Sequence, residues 1–337
     1  MRLIFSRNFW SLLVVVMLSS IFIGCKSDVK STNEAKVKSD VEIGVITYSY
    51  RSMPDQSAEA TLNYIVESGI SAIELMGDPA ESFAGKPESK VDYTGYRDLR
   101  SQKQKGTLSE EGMIKLDVIE KDIKEYANQV AEWRATVSMD KFKELRKMYN
   151  DAGVTIYAFK PDALRDHHTD EEIGWAMRAA KTLGASHVTV ELPSDPAHTQ
   201  RLGDMGEKYQ MYIGYHGHTQ QTPTWWDTAL EQSKYNGINI DLGHYIAAGN
   251  TDAIEFIKKN HERILSMHIK DRHNPANGKE NKLWGKGDTP IVAVLNLMKD
   301  NKYKFPATVE MEYAVREGKT AVDEVKTSVD YCKEALK

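Results

Sequence analysis

Five segments in the second half of the chain each end on a side chain that can ligate a metal or move a proton. Glu191 closes Thr189-Val190-Glu191-Leu192-Pro193, and His216 closes Met211–His216, with His218 two residues on. Asp241 stands in Ile240-Asp241-Leu242-Gly243-His244, His268 in Ser266-Met267-His268-Ile269-Lys270-Asp271, and Glu310 in Val309-Glu310-Met311-Glu312. One charged residue at a strand end is commonplace, because it often caps the next helix. Five in succession form a constellation if the strand ends converge on one axis. Glu191, Asp241 and Glu310 would then bring three carboxylates together. Two like charges about 4 Å apart repel by about 4 kcal/mol at an effective dielectric of 20. Such a group needs a cation, raised pKa values or basic partners. With His268 beside them, the mostly hard donor set Glu191, Asp241, His268 and Glu310 points to one divalent ion: Mn²⁺, Mg²⁺, Co²⁺ or Zn²⁺.

Other residues are candidates for contact with a substrate. His244 follows Asp241 by three residues and points toward the same region. Lys270 shares a strand face with His268, because side chains alternate along a strand. Lys160 ends another strand and Glu74 lies within one; each also fits a salt bridge of the barrel layer or rim. Trp284 opens a Gly-rich loop, Trp284-Gly285-Lys286-Gly287-Asp288, that lies just before a helix and could line a pocket or hold an anion. Trp225-Trp226 reads as helix packing.

These residues must be positioned by an alternating chain. Strands are expected at Glu42–Tyr48, Ser71–Leu75, Val154–Phe159, His187–Leu192, Met211–His216, Gly237–Leu242, Ile264–Ile269 and Ala307–Met311. Most are apolar on both faces, as in a buried parallel sheet. Helical spacing falls between them, at Ala58–Glu67, Met139–Tyr149, Thr169–Thr182, Trp225–Tyr235, Thr251–Lys259, Thr289–Met298 and Thr320–Leu336. Gln200–Lys208 is a weaker candidate because its two glycines lower helix propensity. Thr169 and Glu172 form a capping box, and Thr289-Pro290 reads as an N-cap followed by Pro at the first helical position. Eight strands alternating with helices fit a single-domain (β/α)₈ TIM barrel over residues 41–337. A long insertion, about 77–135, follows the second strand; Gly77–Gly106 reads as loop and Ser109–Glu132 as an extra helix. In a barrel such an insertion lies on the catalytic face, either covering the pocket or decorating the surface.

The ordered motifs resemble the xylose isomerase-like TIM-barrel superfamily, the sugar phosphate isomerase/epimerase group, which also holds inosose dehydratases and endonuclease IV. They are the Val-Glu end at Glu191, Gly214–His218 (Gly-Tyr-His-Gly-His), Asp241–His244 (Asp-x-Gly-His), Met267–Asp271 (Met-His-Ile-Lys-Asp), Gly285–Asp288 (Gly-x-Gly-Asp) and Val309–Glu312 (Val-Glu-Met-Glu). The resemblance implies that Asp241, His268 and Glu310 match metal ligands. Many relatives supply a Glu from the fifth strand, where this chain has His216. Either Glu191 provides the remaining carboxylate, the reading we prefer from the hardness of the cation, or His216 coordinates and Glu191 binds substrate.

The beginning of the chain reads as an export signal. Arg2 and Arg7 precede an apolar run, Phe9–Ile23, that is short for a membrane span of roughly 20 residues. It ends Phe22-Ile23-Gly24-Cys25, which resembles a bacterial lipobox with Cys25 as the lipidated residue. Residues 1–24 then form a signal peptide and 25–40 a lipidated Cys and flexible tether, with the protein periplasmic or associated with the outer membrane. Cys332 reads as a packed core residue.

The chain has 337 residues and a net charge of −5. Residues 1–24 hold two arginines and no acids, so without them the charge is −7. With no basic run, nucleic acid is not expected as a partner. The resemblance implies a metal-dependent isomerase or epimerase that acts on a sugar, keto-sugar or cyclitol by proton transfer next to a carbonyl. Glu310 would be the first candidate base, and Glu191 or His216 would face it. His244 and Lys270 would hold the developing oxyanion, while His218, Lys160 and Trp284 complete the substrate contacts. The rival readings are a lyase, dehydratase or hydrolase of a (keto-)glycoside, a phosphodiesterase of endonuclease IV type, and a non-catalytic sugar-binding lipoprotein.

Overall fold

The computed structural model describes residues 40–337. The signal segment, Cys25 and all of the tether except Asp40 lie outside the described residues. Eight short strands close into one barrel: β1 (Ile43–Ile46), β2 (Ala72–Met76), β3 (Thr155–Lys160), β4 (His187–Glu191), β5 (Tyr212–His216), β6 (Asn236–Asp241), β7 (Ile264–Ile269) and β8 (Ala307–Val309). Every neighbouring pair is parallel, the order follows the chain, and β8 closes against β1. Helices carry each crossover, so the architecture is a (β/α)₈ TIM barrel. The expected strands and the observed ones differ only at their ends.

The register already assembles part of the site. Glu191 on β4 pairs with His216 on β5, and Asp241 on β6 pairs with His268 on β7. His268 also pairs with Thr308 on β8.

The inside of the barrel is polar, where sequence patterning suggested strands that are apolar on both faces. Tyr157 on β3 reaches Thr308 on β8 (2.7 Å), Thr189 on β4 donates to Glu74 on β2 (2.5 Å), and His187 on β4 meets Ser266 on β7 (2.9 Å). Strands that are not neighbours can make such bonds only across the barrel axis. Buried polar groups are tolerated when each finds a partner, and a connected network also fixes their orientation. Gly44 makes room for this network: a Cβ there would sit 2.7 Å from the Tyr157 ring.

The crossover helices stop where local chemistry dictates. Thr169 and Glu172 complete a capping box on Asp170–Leu183, and Gly184, at φ 89°, ends that helix in the left-handed region. Pro196–Tyr209 is a full helix despite its glycines, begun by Asp195, whose side chain accepts from the Ala197 N–H. Gly206 lies so close to the sheet that a Cβ would fall 2.5 Å from Ile213 Cδ1. Propensity is overridden there by the need for close approach. Cys332 is buried in Ala321–Ala335, as expected of a packing residue.

Three sequence expectations need correction. Gly77–Gly106 is mostly helical: Gly77–Phe83 and Tyr93–Gln104 are helices. Gly77 and Pro79 fall in the first turn, where such residues are tolerated, and the second helix buries no side chain, which hides its periodicity in the sequence. Only Asp227–Gln232 of Trp225–Tyr235 is helical. Thr289 does not cap the next helix, which runs Ile291–Asn301 behind Pro290; its hydroxyl accepts from the Arg272 N–H instead (3.0 Å). The insertion's main helix, Glu110–Thr136, is capped by Ser109. Its last turns are fastened by Arg134, which pairs with Glu172 at 2.9 Å and lies over the Trp175 ring.

Candidate metal centre at the strand ends

The C-terminal ends of β5 to β8 deliver His216, Asp241, His268 and Glu310 to one point. Donor atoms of all four lie within 4.8 Å of one another, and all four side chains are buried. Each is oriented by a neighbour. His216 bonds through Nδ1 to Asn239 Oδ1 (2.7 Å), which leaves Nε2 for the group. Asp241 ends β6 and caps the short helix Leu242–Ala247, accepting the His244 N–H through Oδ1 at 2.8 Å. Its Oδ2 faces Lys270 Nζ at 2.8 Å. His268 is clamped by two carboxylates, Glu310 on Nδ1 (3.1 Å) and Glu74 on Nε2 (2.7 Å). Glu74 is itself fixed by the Thr189 hydroxyl.

The donor set fits a divalent cation. Two imidazoles and two carboxylates converge, and a carboxylate behind one imidazole matches the support that metal-ligating histidines receive. Glu74 is that support, in the barrel layer rather than at the rim. The structure brings in His216 as the fourth member of the buried group. Glu191, preferred for that place on the hardness of the cation, stands outside it: it is half exposed, takes a 3.0 Å contact from Lys160, and lies 3.6 Å from His218 Nδ1. The reason is direction, since the neighbouring residues Glu191 and His216 share a register line but only His216 turns inward to Asn239. Glu191, His216 and His218 form a second, more exposed group, with donor atoms also within 4.8 Å of one another.

Electrostatics follows from the contacts. Burial pulls the His268 imidazole down, but Glu74 and Glu310 on its two nitrogens outweigh this and push it up to about 10. Burial opposes ionisation of Glu310, yet Lys270 and His268 hold its carboxyl well below the usual range. Burial likewise works against the Lys270 ammonium, and Asp241, Glu310 and Glu312 overcome it and hold the charge. Lys270 Nζ lies 2.7 Å from Glu310 and 2.5 Å from Glu312. His216 and His244 are kept neutral by burial first, His244 down to about 2.

The remaining expected contacts separate. His244 borders the centre, with Nε2 at 3.9 Å from both Asp241 and Glu312 and Nδ1 against Arg272. His218 stacks edge-on to His216 and His244, with ring centroids 5.1 and 4.6 Å away. Lys160 faces the group through Glu191. Trp284 is buried against Tyr331 of the last helix (5.9 Å between centroids). In and just after its loop, the N–H groups of Lys286, Gly287 and Thr289 donate to the buried Asp271 carboxylate at 3.0, 2.8 and 3.2 Å. Of the tryptophan pair, Trp226 packs in the core and donates to the Tyr215 carbonyl (2.9 Å).

Comparison with known proteins adds to this geometry. The family described as the xylose isomerase-like TIM barrel matches residues 116–335. The chain belongs to that family. Among solved structures, this xylose isomerase-like barrel is similar to a sugar phosphate isomerase/epimerase from Parabacteroides distasonis (17% identity, TM-score 0.56, covering 88% of this chain and 95% of that one). It is also similar to the IolI protein with a bound zinc atom (16%, TM-score 0.56, 88% and 98%). A D-psicose 3-epimerase from Clostridium cellulolyticum, solved with D-tagatose, is similar as well (10%, TM-score 0.55, 88% and 99%). At these identities the likeness is one of fold. No curated protein gives a significant match.

Proposed function

We propose that the protein is a divalent-metal-dependent isomerase or epimerase that acts on a sugar, keto-sugar or cyclitol by proton transfer next to a carbonyl. The observation that carries this reading is the buried quartet His216, Asp241, His268 and Glu310 at the strand ends of a xylose isomerase-like barrel, with Glu74 braced behind His268. Two nitrogens and two carboxylate oxygens suit Mn²⁺, Co²⁺ or Zn²⁺, and Mg²⁺ less well. A divalent ion held there would supply Lewis-acid polarisation of a carbonyl or adjacent hydroxyl.

The chain's own residues account for the proton. Glu310 is held ionised by Lys270 and His268, so its carboxylate can accept a proton from the carbon beside the carbonyl. Glu191, on the exposed side of His216, would return a proton from the other face. The Lys270 ammonium, held by Asp241, Glu310 and Glu312, would supply positive charge beside the oxygen where negative charge develops. His244 and His218 line the approach.

The test is isotopic. Protein loaded with Mn²⁺, Co²⁺ or Zn²⁺ and incubated in D₂O with a panel of ketoses, keto-sugars and cyclitols should wash solvent deuterium into the carbon next to the carbonyl. No exchange with any member of the panel rejects the reading. Consistent with the leader and lipobox, we also propose that the protein is exported and anchored through a lipid on Cys25. Cys25→Ser should move it from the membrane fraction to the soluble one.

A further inference from the structure

A cleft of about 940 Å³ lies between the ends of β2, β3 and β4 and the insertion helix Glu110–Thr136. Its inner end is formed by Lys160, Thr189 and Glu191, and Glu191 is grouped with His216 of the quartet. The cleft therefore begins one side chain from the candidate metal centre. Pockets for small-molecule ligands run about 300–1,000 Å³, so this one stands near the top of that range and exceeds what a single sugar ring fills.

Its walls are built to bind. Glu81, Arg134 and His168 line it and are only 1%, 5% and 8% exposed. Among the described residues, the Glu81 carboxylate, Arg134 Nε and His168 Nδ1 have no close, well-aligned hydrogen-bond partner. Arg134 and Lys86 approach Glu81 only at 3.7 and 3.4 Å. These groups form a charged floor behind the cleft, and the polar atoms a ligand can reach are those of the half-exposed lining residues Asp162, Arg165, His167 and Glu191. Five carboxylates and four Lys or Arg side chains line it, a balance that favours a neutral ligand over an anion. Tyr93 and Tyr126 add aromatic surface of the kind that packs against sugar C–H faces. A hydroxyl both donates and accepts, and so can serve Asp162 and Arg165 alike.

We propose that this cleft binds a second, uncharged sugar ring, so that the substrate is a glycoside of at least two units, with the reacting unit at the quartet and the other under the insertion helix. The inference rests on the sugar reading above and names its substrate class.

The test uses calorimetric titration of the full metal-loaded protein with glucose and with cellobiose, maltose and sucrose, beside two variants that add bulk to the cleft lining, Ala127→Trp and Ser89→Trp. Unfolding midpoints of the variants report whether they fold. The expected result is at least tenfold tighter binding of one disaccharide than of glucose, lost in both variants while glucose binding persists. Equal binding of mono- and disaccharide, unmoved by either variant, overturns the second-ring site and leaves the sugar reading intact. Binding of none of the four sugars, alongside no deuterium exchange with the monosaccharide panel, overturns both.

Discussion

At the residue scale, the site depends on how each ligand candidate is held from behind. Glu74 takes Nε2 of His268, and the Thr189 hydroxyl takes Glu74. Loss of such a support typically weakens metal binding 10–100-fold. Glu74→Gln is therefore expected to lower divalent-ion affinity by roughly that factor while the protein still folds; competition with a chelating dye measures it. His268→Ala and Asp241→Ala should reduce bound metal to background by elemental analysis. Lys270 acts in the opposite sense. Its ammonium contacts Asp241 and Glu310 through oxygens that face the centre, and two cations sharing those oxygens repel. Lys270→Met should tighten divalent-ion binding several-fold in the same assay and lower any deuterium exchange, because the developing negative charge loses a nearby cation.

At the element scale, a strand end is useful only when the segment after it is pinned. Asp241 ends β6 and starts Leu242–Ala247 with one carboxylate, so the strand-to-helix turn and the orientation of the site are one structure. Asp271, two residues after β7, holds the Gly285–Asp288 loop through the N–H groups of Lys286 and Gly287, and the residue after it through that of Thr289. Leaving buried donors unsatisfied costs about 1–3 kcal/mol each. Asp271→Ala is expected to destabilise the fold by a few kcal/mol, seen as a lower denaturant midpoint, with metal affinity nearly unchanged, since Asp271 does not touch the quartet.

At the scale of the whole molecule, a polar barrel interior ties stability to pH. His187 lies across the axis from Ser266, and burial pulls its pKa from 6.5 down to about 4. The unfolded chain takes up that proton first, so the folded state loses stability as pH falls from about 6.5 toward 4 and has its full share above that window. His268 works in the reverse direction: raised to about 10, it contributes below 6.5, and that contribution is lost as pH rises through 10. The metal-free protein should thus be most stable near pH 6.5, and His187→Asn should flatten the acid limb of its melting temperature against pH.

The sequence alone determined the eight strands, the closed alternating architecture and three of the four buried ligand candidates, because β-branched runs and terminal acids or histidines are local signals. The helix Ala58–Glu67 was legible to the residue, since its apolar positions repeat on one face. Which of Glu191 and His216 lies in the buried group is visible only in the tertiary structure. Both end strands at the same level of the barrel, and which one turns inward depends on Asn239 from the next strand and Lys160 from the previous one. It also decided the place of Glu74, whose partner His268 is 194 residues away, and that of Trp284, which is buried beside Tyr331 of the last helix. Such pairings are set by closure of the barrel, and no spacing along the chain encodes them.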